Sequence, residues 1–377
     1  MSGEFEISRT RRRRLAEFVG QMRVKPGSKV DLPRDYDTAF EGGVKNKKAG
    51  KALLEESVEL LAEYQARLAA QQTWGVLVVL QALDAAGKDG TIRHVMSGVN
   101  AQGVSVHSFK VPSGEELAHD YLWRYAQRLP RRGEIAIFNR SHYEEVIVVR
   151  VHPENLDRQH LPDGKRRHHV WKRRYRDIND WERYLVDNGI RVVKLLLNVS
   201  REEQRRRLLR RIDLPDHNWK FSAADVAERT HWGEYQEAFS EALTHTSTDA
   251  APWYVIPADR KWFARMSAAL VLVHTLLEID PRFPEVSDDK RAELAEIKRA
   301  LEAQAPDGAA ADPFEDHRSA ARRAVSDGGA QAAADEPPAP GAERRADAPA
   351  DAGPRAETRA PTGNGTAAGG GTGPDAG

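Results

Sequence analysis

Five short runs of β-branched and aliphatic residues, separated by longer helical patterns, restrict the folds that are open to this chain. The runs are VLVVL (76–80), VSVHSF (104–109), EIAIFN (134–139), IRVVKLLLNV (190–199) and WYVIP (253–257). Their near-continuous apolar character, without polar alternation, indicates strands that are buried on both faces. Strands that alternate with helices form a mostly parallel sheet with right-handed crossovers. The sequence therefore predicts an α/β sandwich.

Helical patterns connect these runs, at residues 113–129, 168–188, 200–212 and 260–279. Ser113 and Ser200 occupy N-cap positions, and Glu116 and Glu203 follow them by three residues. This spacing predicts a capping box at the start of both helices, in which each side chain bonds the backbone N–H of the other residue.

The region after about Ala303 differs in composition from the rest of the chain. It consists of Ala, Gly, Pro, Asp, Glu and Arg and contains hardly any large apolar side chain. Such a segment cannot bury enough apolar surface to offset the entropy lost on ordering. We therefore expect residues 304–377 to be a disordered acidic tail that serves as a linker or tether.

The residue types that are missing also limit the function. The chain contains no cysteine, which excludes disulfides, thiolate metal sites and thiol nucleophiles. No stretch approaches the apolar run that predicts a membrane span, and the N-terminus lacks the apolar core of a signal peptide. The RTRRRR run at 9–14 is interpreted as a solvated arm and not as a localisation signal. We expect a cytoplasmic protein with no membrane partner.

The first strand–helix junction, QALDAAGKDG at 81–90, resembles a phosphate-binding loop with two departures. The standard spacing, G-x-x-x-x-G-K-[ST], is met by Gly87 and Lys88, but Ala82 and Asp89 stand where it has a glycine and a hydroxyl. Gly87 lets the backbone approach an anion, which the N–H groups at the helix start and the charge of Lys88 then bind. The alternative is an ordinary strand–helix turn with a surface lysine.

The hydroxyl that normally holds magnesium is missing from this loop. Mg²⁺ requires hard oxygen ligands in near-octahedral geometry. Asp84, inside the loop, is a natural substitute, and Asp89 or the Thr91 hydroxyl is a candidate to assist it.

A second signal follows the strand that ends at Phe138. Kinases on such folds place their second metal-linked carboxylate at the end of this neighbouring strand. Here Asn139 stands in that place and Arg140 follows it. The fork of Arg140 can bind phosphate oxygens bidentately, so we interpret it as a charge-neutralising residue. An ordinary surface arginine is the alternative.

A third signal is arginine density. Arg206 with Arg210, and Arg207 with Arg211, are spaced four residues apart on one predicted helix, and Lys220 follows a proline-containing break. A helix pair rich in arginine, placed between strands, is typical of the lid that a kinase closes over phosphates. DGKRRHHVWKRRYR (163–176) adds a second basic stretch. This much positive charge suits a long polyanion better than one triphosphate, although a charged face is often only solvated.

Three segments together resemble the polyphosphate kinase 2 family. They are LDAAGKDGTIRHV, GEIAIFNRSHYEEV and NWKFSAADVAER…APWYVIPADRKWFAR. The resemblance spans roughly residues 35–285 and implies a thymidylate-kinase-like P-loop fold, a three-layer α/β/α sandwich with a parallel sheet and a helical lid at about 205–245. A basic, partly disordered arm (1–34) then precedes this catalytic domain, and a short helical extension (286–303) follows it. The resemblance also implies a need for Mg²⁺, for which Mn²⁺ can substitute.

Family roles transfer to positions that match the family's segments. Asp84 matches the metal-linked aspartate, Lys88 the phosphate-gripping lysine and Arg140 the arginine after the second strand, and these three form the implied catalytic set. The implied polyphosphate and substrate contacts are Gly87, Gly90, Arg93, Asn139, Arg150, Arg206, Arg210 and Lys220. Asn139 departs from subfamilies that carry aspartate there. The form FNRSHYE is similar to the subgroup that phosphorylates nucleoside monophosphates and diphosphates alike.

The implied activity is reversible transfer of the terminal phosphoryl group of inorganic polyphosphate to AMP or ADP, with GMP and GDP as further candidates. No deprotonating base is needed, because a nucleotide phosphate is already an anion at neutral pH. We expect a homo-oligomer, either a dimer or a tetramer. An ATP-dependent nucleotide or small-molecule kinase on the same fold is one alternative. A nucleic-acid binder is the other, but few aromatic residues lie among the arginines, so we expect no nucleic-acid partner.

Overall fold

The computed structural model describes residues 7–162 and 169–304 of the 377-residue chain. The chain divides into two units, Met1–Lys290 and Arg291–Gly377. The sheet and the cavities described below belong to the first unit. The predicted acidic tail, apart from Gln304, and residues 163–168 of the second basic stretch lie outside the described residues.

Each of the five predicted strands is present, and together they form one parallel sheet. The strands are β1 (Gly75–Gln81), β2 (Val104–Ser108), β3 (Ile135–Asn139), β4 (Ile190–Asn198) and β5 (Trp253–Pro257). Their order across the sheet is β2-β3-β1-β4-β5, and every neighbouring pair is parallel. The first strand along the chain is therefore the central one, with β3 and β4 on either side.

α-Helices of the first unit pack on both faces of this sheet. The described α-helices are α1 (Arg9–Gly20), α2 (Leu32–Asp35), α3 (Lys47–Gln71), α4 (Lys88–Val95), α5 (Gly114–Ala118), α6 (Trp123–Ala126), α7 (Val148–Val151), α8 (Val170–Asp187), α9 (Arg201–Asp213), α10 (Ala223–Ala227), α11 (Trp232–Thr246), α12 (Lys261–Ile279) and α13 (Asp288–Glu302), of which α13 lies mostly in the second unit. Short 3-10 helices occupy Ala101–Gly103, His142–Glu145, Pro153–Leu156, Pro215–Lys220 and Glu228–His231.

Alternate side chains of the central strand enter two separate cores. Val76 and Val78 of β1 pack in one core with residues of α3 and α12. Leu77 and Val79 pack in the other core with residues of α8 and α11. All seven residues of β1 are buried, as near-continuous apolar strands predict. The chain thus has the predicted three-layer α/β/α architecture.

Two predicted elements differ from the structure. β2 is an edge strand with a partly exposed pattern, and the side chain of Val106 is 47% exposed, so this strand is not buried on both faces. The helix predicted at 113–129 is divided into α5 and α6. The Asp120 side chain accepts a bond from the Leu122 N–H at 2.9 Å, which competes with the helical pattern between the two pieces.

The two predicted capping boxes also differ. At Ser113 both reciprocal bonds with Glu116 are present. At Ser200 the side chain accepts from the Glu203 N–H at 3.1 Å, but the Ser200 N–H donates to Asp259 at 2.7 Å. Because Asp259, from the end of β5, replaces the glutamate in this role, the Glu203 carboxylate bonds elsewhere.

The N-terminal segment is packed from residue 7 onward. Ser8 caps α1 through the Arg11 N–H, and Val19 and Met22 are buried in the core shared by α3 and α12. The arginines of the basic run lie mostly on the exposed side of α1. Within the predicted basic arm (1–34), α1 therefore packs on the body of the protein and is followed by an irregular segment that leads to α2, while residues 1–6 lie outside the described residues.

Helix α12 is long and apolar enough to cross a membrane by length and composition alone, in contrast to the expectation from sequence. Its apolar window has a mean hydropathy of 1.4, and 67% of that window is buried inside the protein. Ala268, Val271 and Leu272 lie in the core with residues of α3 and β1. Packing on the sheet therefore accounts for the apolar composition of α12.

Candidate active site

The predicted phosphate loop and the Asn139–Arg140 pair meet at the carboxyl edge of the sheet. The loop follows β1 and the pair follows β3, and these two strands are neighbours. Both line a cavity of about 740 Å³, called here the central cavity. Its lining includes Asp84–Thr91, Arg93, Ser108–Lys110, Asn139, Arg140, Arg207, Arg210, Arg211, Lys261, Ala264 and Arg265. This edge is where ligands bind in open parallel sheets.

The loop after β1 turns sharply into α4, and Lys88 bonds its backbone. The Lys88 ammonium folds back over the loop and donates to the Ala82 carbonyl at 2.8 Å and the Leu83 carbonyl at 3.4 Å. Gly87 has φ +109°, a conformation that side-chain-bearing residues rarely adopt, and it caps α4. Burial lowers the pKa of Lys88, and the nearby Asp84 carboxylate opposes this shift.

Arg140 is held in a strained backbone conformation and points at the loop. Its φ is +65°, and its N–H donates to the Leu80 carbonyl at 3.2 Å. Its guanidinium bonds the Asp84 carboxylate at 3.0 Å. Although burial disfavours its charge, Glu144 and Asp84 hold the pKa of Arg140 above its ordinary value. Left-handed backbone at a non-glycine residue is typical of sites where function requires an exact side-chain direction.

Asn139 places an amide oxygen at the same edge. Its Nδ2 donates to Asp89 at 2.9 Å and to Ser108 at 3.4 Å. Its Oδ1 is buried and has no hydrogen-bond partner among the described residues. A buried polar atom without a partner is costly, which indicates that a ligand of this oxygen belongs in the site.

Glu144 is a site residue that the sequence reasoning did not single out. Burial raises the pKa of its carboxyl, against the charges of Arg140 and Lys88 and a bond from Gln81. The signal in the sequence was the acidic pair that follows HY in the segment of Arg140. Spacing alone did not show that Glu144, and not Glu145, is the one that faces Arg140 and Lys88.

Cations dominate the central cavity. Asp84 and Asp89 supply its carboxylates, while its cations are Lys88, Arg93, Lys110, Arg140, Arg207, Arg210, Arg211, Lys261 and Arg265. Burial and the neighbouring Arg207, Arg210 and Arg265 lower the pKa of Lys261. Among the described residues, the side chains of Arg93, Arg210 and Lys261 have no hydrogen-bonded or ion-paired partner. The cavity therefore has an excess of positive charge suited to a polyanion.

A second cavity, of about 960 Å³ and called here the cationic cavity, extends the first. The two share Arg207, Arg210, Lys261 and Arg265. The further lining comes mainly from α3, with Lys47, Lys51, Glu55 and Glu59, and includes Glu203 and Arg206 of α9, Asp259, and Trp262 of α12. The sequence reasoning did not predict the lysines of α3, because nothing local in LLEESVEL and its surroundings distinguishes them from solvated residues.

His94 fixes the position of Arg265 between these two cavities. His94 Nδ1 lies 2.7 Å from the Gly90 carbonyl, which can only accept, so Nδ1 carries the proton. His94 Nε2 then accepts from Arg265 at 3.0 Å. This bond links α4, which begins at the phosphate loop, to α12.

A third cavity, of about 130 Å³ and called here the apolar cavity, adjoins the central one through residues that the cationic cavity does not share. The two share Phe109, Lys110 and Arg140. Its apolar lining comprises Phe109, Val111, Pro112, Leu117, Tyr125, Val148 and Val149. Polar and charged side chains also line it: Lys110, Arg124, Arg140, Glu144, Glu145, Asn155, Arg158 and Gln159. The cavity thus combines an aromatic and aliphatic wall with groups that can form hydrogen bonds.

The structure groups most of the predicted site residues and separates one of them. Asp84, Gly87, Lys88, Gly90, Arg93, Asn139, Arg140 and Arg210 line the central cavity, and Arg206 lines the cationic cavity. Arg150 lines none of the three cavities; it donates to the Tyr175 hydroxyl at 3.1 Å and pairs with Glu237 at 3.3 Å. Lys220 ends a 3-10 helix, and its side chain lies outside what the structure describes.

The predicted lid arginines do not share one environment. Arg210 is exposed toward the cavities, whereas Arg211 pairs with Asp225 of α10 at 3.0 Å. Arg207 is buried against backbone carbonyls and is not a lid surface residue. The arginines that the i,i+4 spacing presented as equivalent cations thus have three different environments.

Comparison with known proteins identifies relatives over most of the chain. The family model described as polyphosphate kinase 2 matches residues 44–284. A Rhodopseudomonas palustris protein named ADP-polyphosphate phosphotransferase is 45% identical over 282 residues, which cover 74% of this chain and 97% of that protein. A Meiothermus ruber protein named AMP/ADP-polyphosphate phosphotransferase is 47% identical over 266 residues, 70% of this chain and 94% of that protein.

The fold is similar to a solved structure as well. The crystal structure of polyphosphate kinase 2 from Arthrobacter aurescens TC1 superposes with a TM-score of 0.67 at 38% sequence identity. The match covers 73% of this chain and 95% of that one.

Proposed function

The chain belongs to the polyphosphate kinase 2 family, and we propose that it transfers the terminal phosphoryl group of inorganic polyphosphate to both nucleoside monophosphates and nucleoside diphosphates. The observation that carries this proposal is the continuity of the central and cationic cavities, both of which are lined by the cations Arg210, Lys261 and Arg265. A linear polyanion can occupy both cavities at once, whereas one nucleotide phosphate chain needs only the central one.

The donor is proposed to enter through the cationic cavity. Lys47 and Lys51 of α3 and Arg206 and Arg210 of α9 line this cavity together, so a phosphate chain in it would contact cations from both helices. Arg265, held by His94, stands where this cavity opens into the central one. The terminal donor unit would then reach Lys88 and the phosphate loop.

The acceptor is proposed to bind from the opposite side. In this proposal a planar base packs against Phe109 and Leu117 in the apolar cavity, which Asn155 and Arg158 also line. Arg140, which lines both the apolar and the central cavity, would contact the acceptor phosphate. The names of the two relatives, with ADP in one and AMP and ADP in the other, support nucleotides as the acceptor class.

A magnesium ion fits the oxygen donors at this edge. Asp84 and the unpartnered Asn139 Oδ1 are hard oxygen ligands of the kind that Mg²⁺ prefers. Among residues 7–162 and 169–304 no group of three or more His, Cys, Asp or Glu side chains forms a metal cage. Magnesium usually binds through one or two carboxylates together with substrate phosphates, so this pair is sufficient. When bound, Mg²⁺, or Mn²⁺ in its place, would neutralise charge on the transferred phosphoryl group.

The residues of the chain contribute mainly position and charge. Phosphoryl transfer passes through a loose transition state, so alignment and neutralisation of oxygen charge supply most of the rate enhancement. Lys88 and Arg140 place cations on the donor and acceptor sides of the transferred group. The lid arginines would exclude water and thereby suppress hydrolysis. No proton acceptor is required, because the acceptor phosphate is already ionised.

The test is a phosphoryl-transfer assay with polyphosphate as the sole donor and no nucleoside triphosphate present. We expect AMP to yield ADP and ATP, ADP to yield ATP, and ATP to yield polyphosphate in the reverse direction. An enzyme that phosphorylates AMP from ATP but not from polyphosphate would instead be a conventional ATP-dependent kinase.

A further inference from the structure

Arg207 differs from every other arginine on α9 because all the N–H donors of its side chain bond other groups of the protein. Only 6% of its side chain is exposed. Nη1 donates to the carbonyls of Ala86 at 2.6 Å and Ala85 at 3.3 Å, and Nε donates to the Glu203 carboxylate at 2.8 Å. Nη2 donates to the carbonyl of Asp259 at 3.1 Å and also to that of Ala258. These bonds use the five N–H donors of a guanidinium, so no donor remains for a phosphate.

The contacts of Arg207 join three segments that meet at the phosphate loop. Ala85 and Ala86 belong to the loop itself, Ala258 and Asp259 follow β5, and Arg207 and Glu203 belong to α9. The neighbouring Arg206 provides the contrast: its side chain is 65% exposed and pairs with Glu202 at 3.1 Å. One helix thus carries both an arginine that faces the cavity and one that holds the loop.

The part of the loop that Arg207 contacts is strained. Ala85 has φ +61°, which is uncommon for a residue with a side chain and persists only where the surroundings impose it. The Ala86 N–H bonds the Leu83 carbonyl at 3.2 Å, which closes the turn from one side. Arg207 holds the carbonyls of Ala85 and Ala86 from the other side.

This arrangement also fixes the direction of the Gly87 N–H. The C=O and N–H of one trans peptide point in opposite directions. The direction of the Ala86 carbonyl therefore determines the direction of the Gly87 N–H. With that carbonyl at 2.6 Å from Arg207, the Gly87 N–H points away from the guanidinium. Gly87 caps α4 and lines the central cavity, where backbone N–H groups bind phosphate.

We propose that Arg207 is a positioning residue for the phosphate loop. It holds the left-handed turn at Ala85 and the direction of the Gly87 N–H, and it does not bind polyphosphate itself. This inference rests on the proposed function for the identity of the bound anion. According to this proposal, the N-terminal part of the lid helix α9 is fixed on the phosphate loop, which is the same loop that the lid is predicted to cover.

The test measures Arg207→Lys in two backgrounds, the native chain and Ala85→Gly. Lysine keeps the charge but lacks the planar fork, and glycine adopts a positive φ at little cost. In the native background we expect kcat to fall by about tenfold or more, while the polyphosphate KM and its salt dependence change by less than about threefold. In the Ala85→Gly background the same substitution should lower kcat by about threefold or less, because the turn no longer needs support.

Arg205→Lys is the matched control. Arg205 lies on the same helix, is half exposed and pairs with Glu202. The kcat of the Arg205→Lys variant should therefore stay within about twofold of wild type. If Arg207→Lys does not fold, Glu203→Gln replaces it, since Glu203 anchors Nε. That variant should lower kcat in the same direction by a smaller factor, and Ala85→Gly should again reduce the loss.

Two results would overturn the proposal. One is a raised polyphosphate KM with a flattened salt dependence and a kcat near wild type, which would make Arg207 a donor-binding cation. The other is an equal loss of kcat in both backgrounds. If the wild type transfers from ATP but not from polyphosphate, the proposed function fails, and the same kcat ratios measured with ATP still decide the role of Arg207.

Discussion

The cationic and apolar cavities share lining residues with the same central cavity but differ in their side chains. The cationic cavity presents lysines and arginines from α3, α9 and α12, which outnumber its carboxylates. The apolar cavity presents aromatic and aliphatic side chains together with polar and charged ones. A uniform polyanion and a nucleoside have this same contrast in their chemistry. This difference supports the proposal that the two substrates reach the phosphate loop from opposite sides, with Lys88 and Arg140 between them.

The largest expected effect comes from removing the groups between the two sides. Lys88→Ala and Asp84→Ala should each lower kcat by more than about tenfold with either acceptor, because both alter the phosphate loop and not one substrate. Steady-state kinetics on folded protein provides the measurement, with the exposed Lys25→Ala as control. Retention of a tenth or more of wild-type turnover would remove the residue concerned from the catalytic set.

The cationic side can be weakened separately. Arg206→Ala or Arg210→Ala should raise the KM for long polyphosphate and flatten its dependence on salt, because each removes a cation that displaces counterions. Each contact is worth roughly 1–3 kcal/mol if it is charge-assisted and partly desolvated. The nucleotide KM should change less. If the nucleotide KM rises instead and the salt dependence of polyphosphate stays the same, these arginines serve the acceptor.

The apolar side should respond in the opposite way. Leu117→Ala removes apolar surface from the proposed base site, so the KM for AMP and ADP should rise by about fivefold, equivalent to ~1 kcal/mol, with the polyphosphate KM nearly unchanged. Leu53→Ala is a matched control, since Leu53 is partly exposed and lines none of the three cavities. A rise in the polyphosphate KM alone would place the donor on this side.

The smallest effect on kinetics is expected at Arg150. Because it bonds Tyr175 and Glu237 and lies outside the three cavities, Arg150→Ala should change neither KM by more than about twofold. The free energy of unfolding of the Arg150→Ala variant, measured by urea denaturation, should be lower than that of wild type by about 1 kcal/mol because hydrogen bonds are lost. A several-fold increase in the polyphosphate KM would restore Arg150 to the donor path that the family resemblance implied.

The sequence predicted the strands and the loop better than the environment of single side chains. The strand runs and the glycine and lysine of the loop are local signals, and Asp84, Lys88 and Arg140 do lie together. The four arginines at i,i+4 spacing on α9, residues 206, 207, 210 and 211, looked alike because spacing does not show which one faces a carbonyl and which one faces solvent. Only the tertiary structure brings Asp259, at the end of β5, to the start of α9, where it displaces Glu203 from the capping box.

The cavities themselves were outside the reach of sequence reasoning. The cationic cavity combines Lys51 of α3 with Arg210 of α9 and Arg265 of α12, which are far apart along the chain. Each of these residues by itself is typical of a solvated helix face. Their common role follows only from the packing of α3 and α12 on the same side of the sheet.

The most direct test of the opposite-side account is ligand protection of single cysteines. The chain contains no cysteine, so Lys51→Cys in the cationic cavity and Val111→Cys in the apolar cavity each introduce one thiol, and both positions are exposed. The measurement is the rate of alkylation by iodoacetamide with no ligand, with polyphosphate and with AMP. The account predicts that polyphosphate slows alkylation at position 51 and not at 111, and that AMP does the reverse. Protection of position 111 by polyphosphate, or of position 51 by AMP alone, would contradict it.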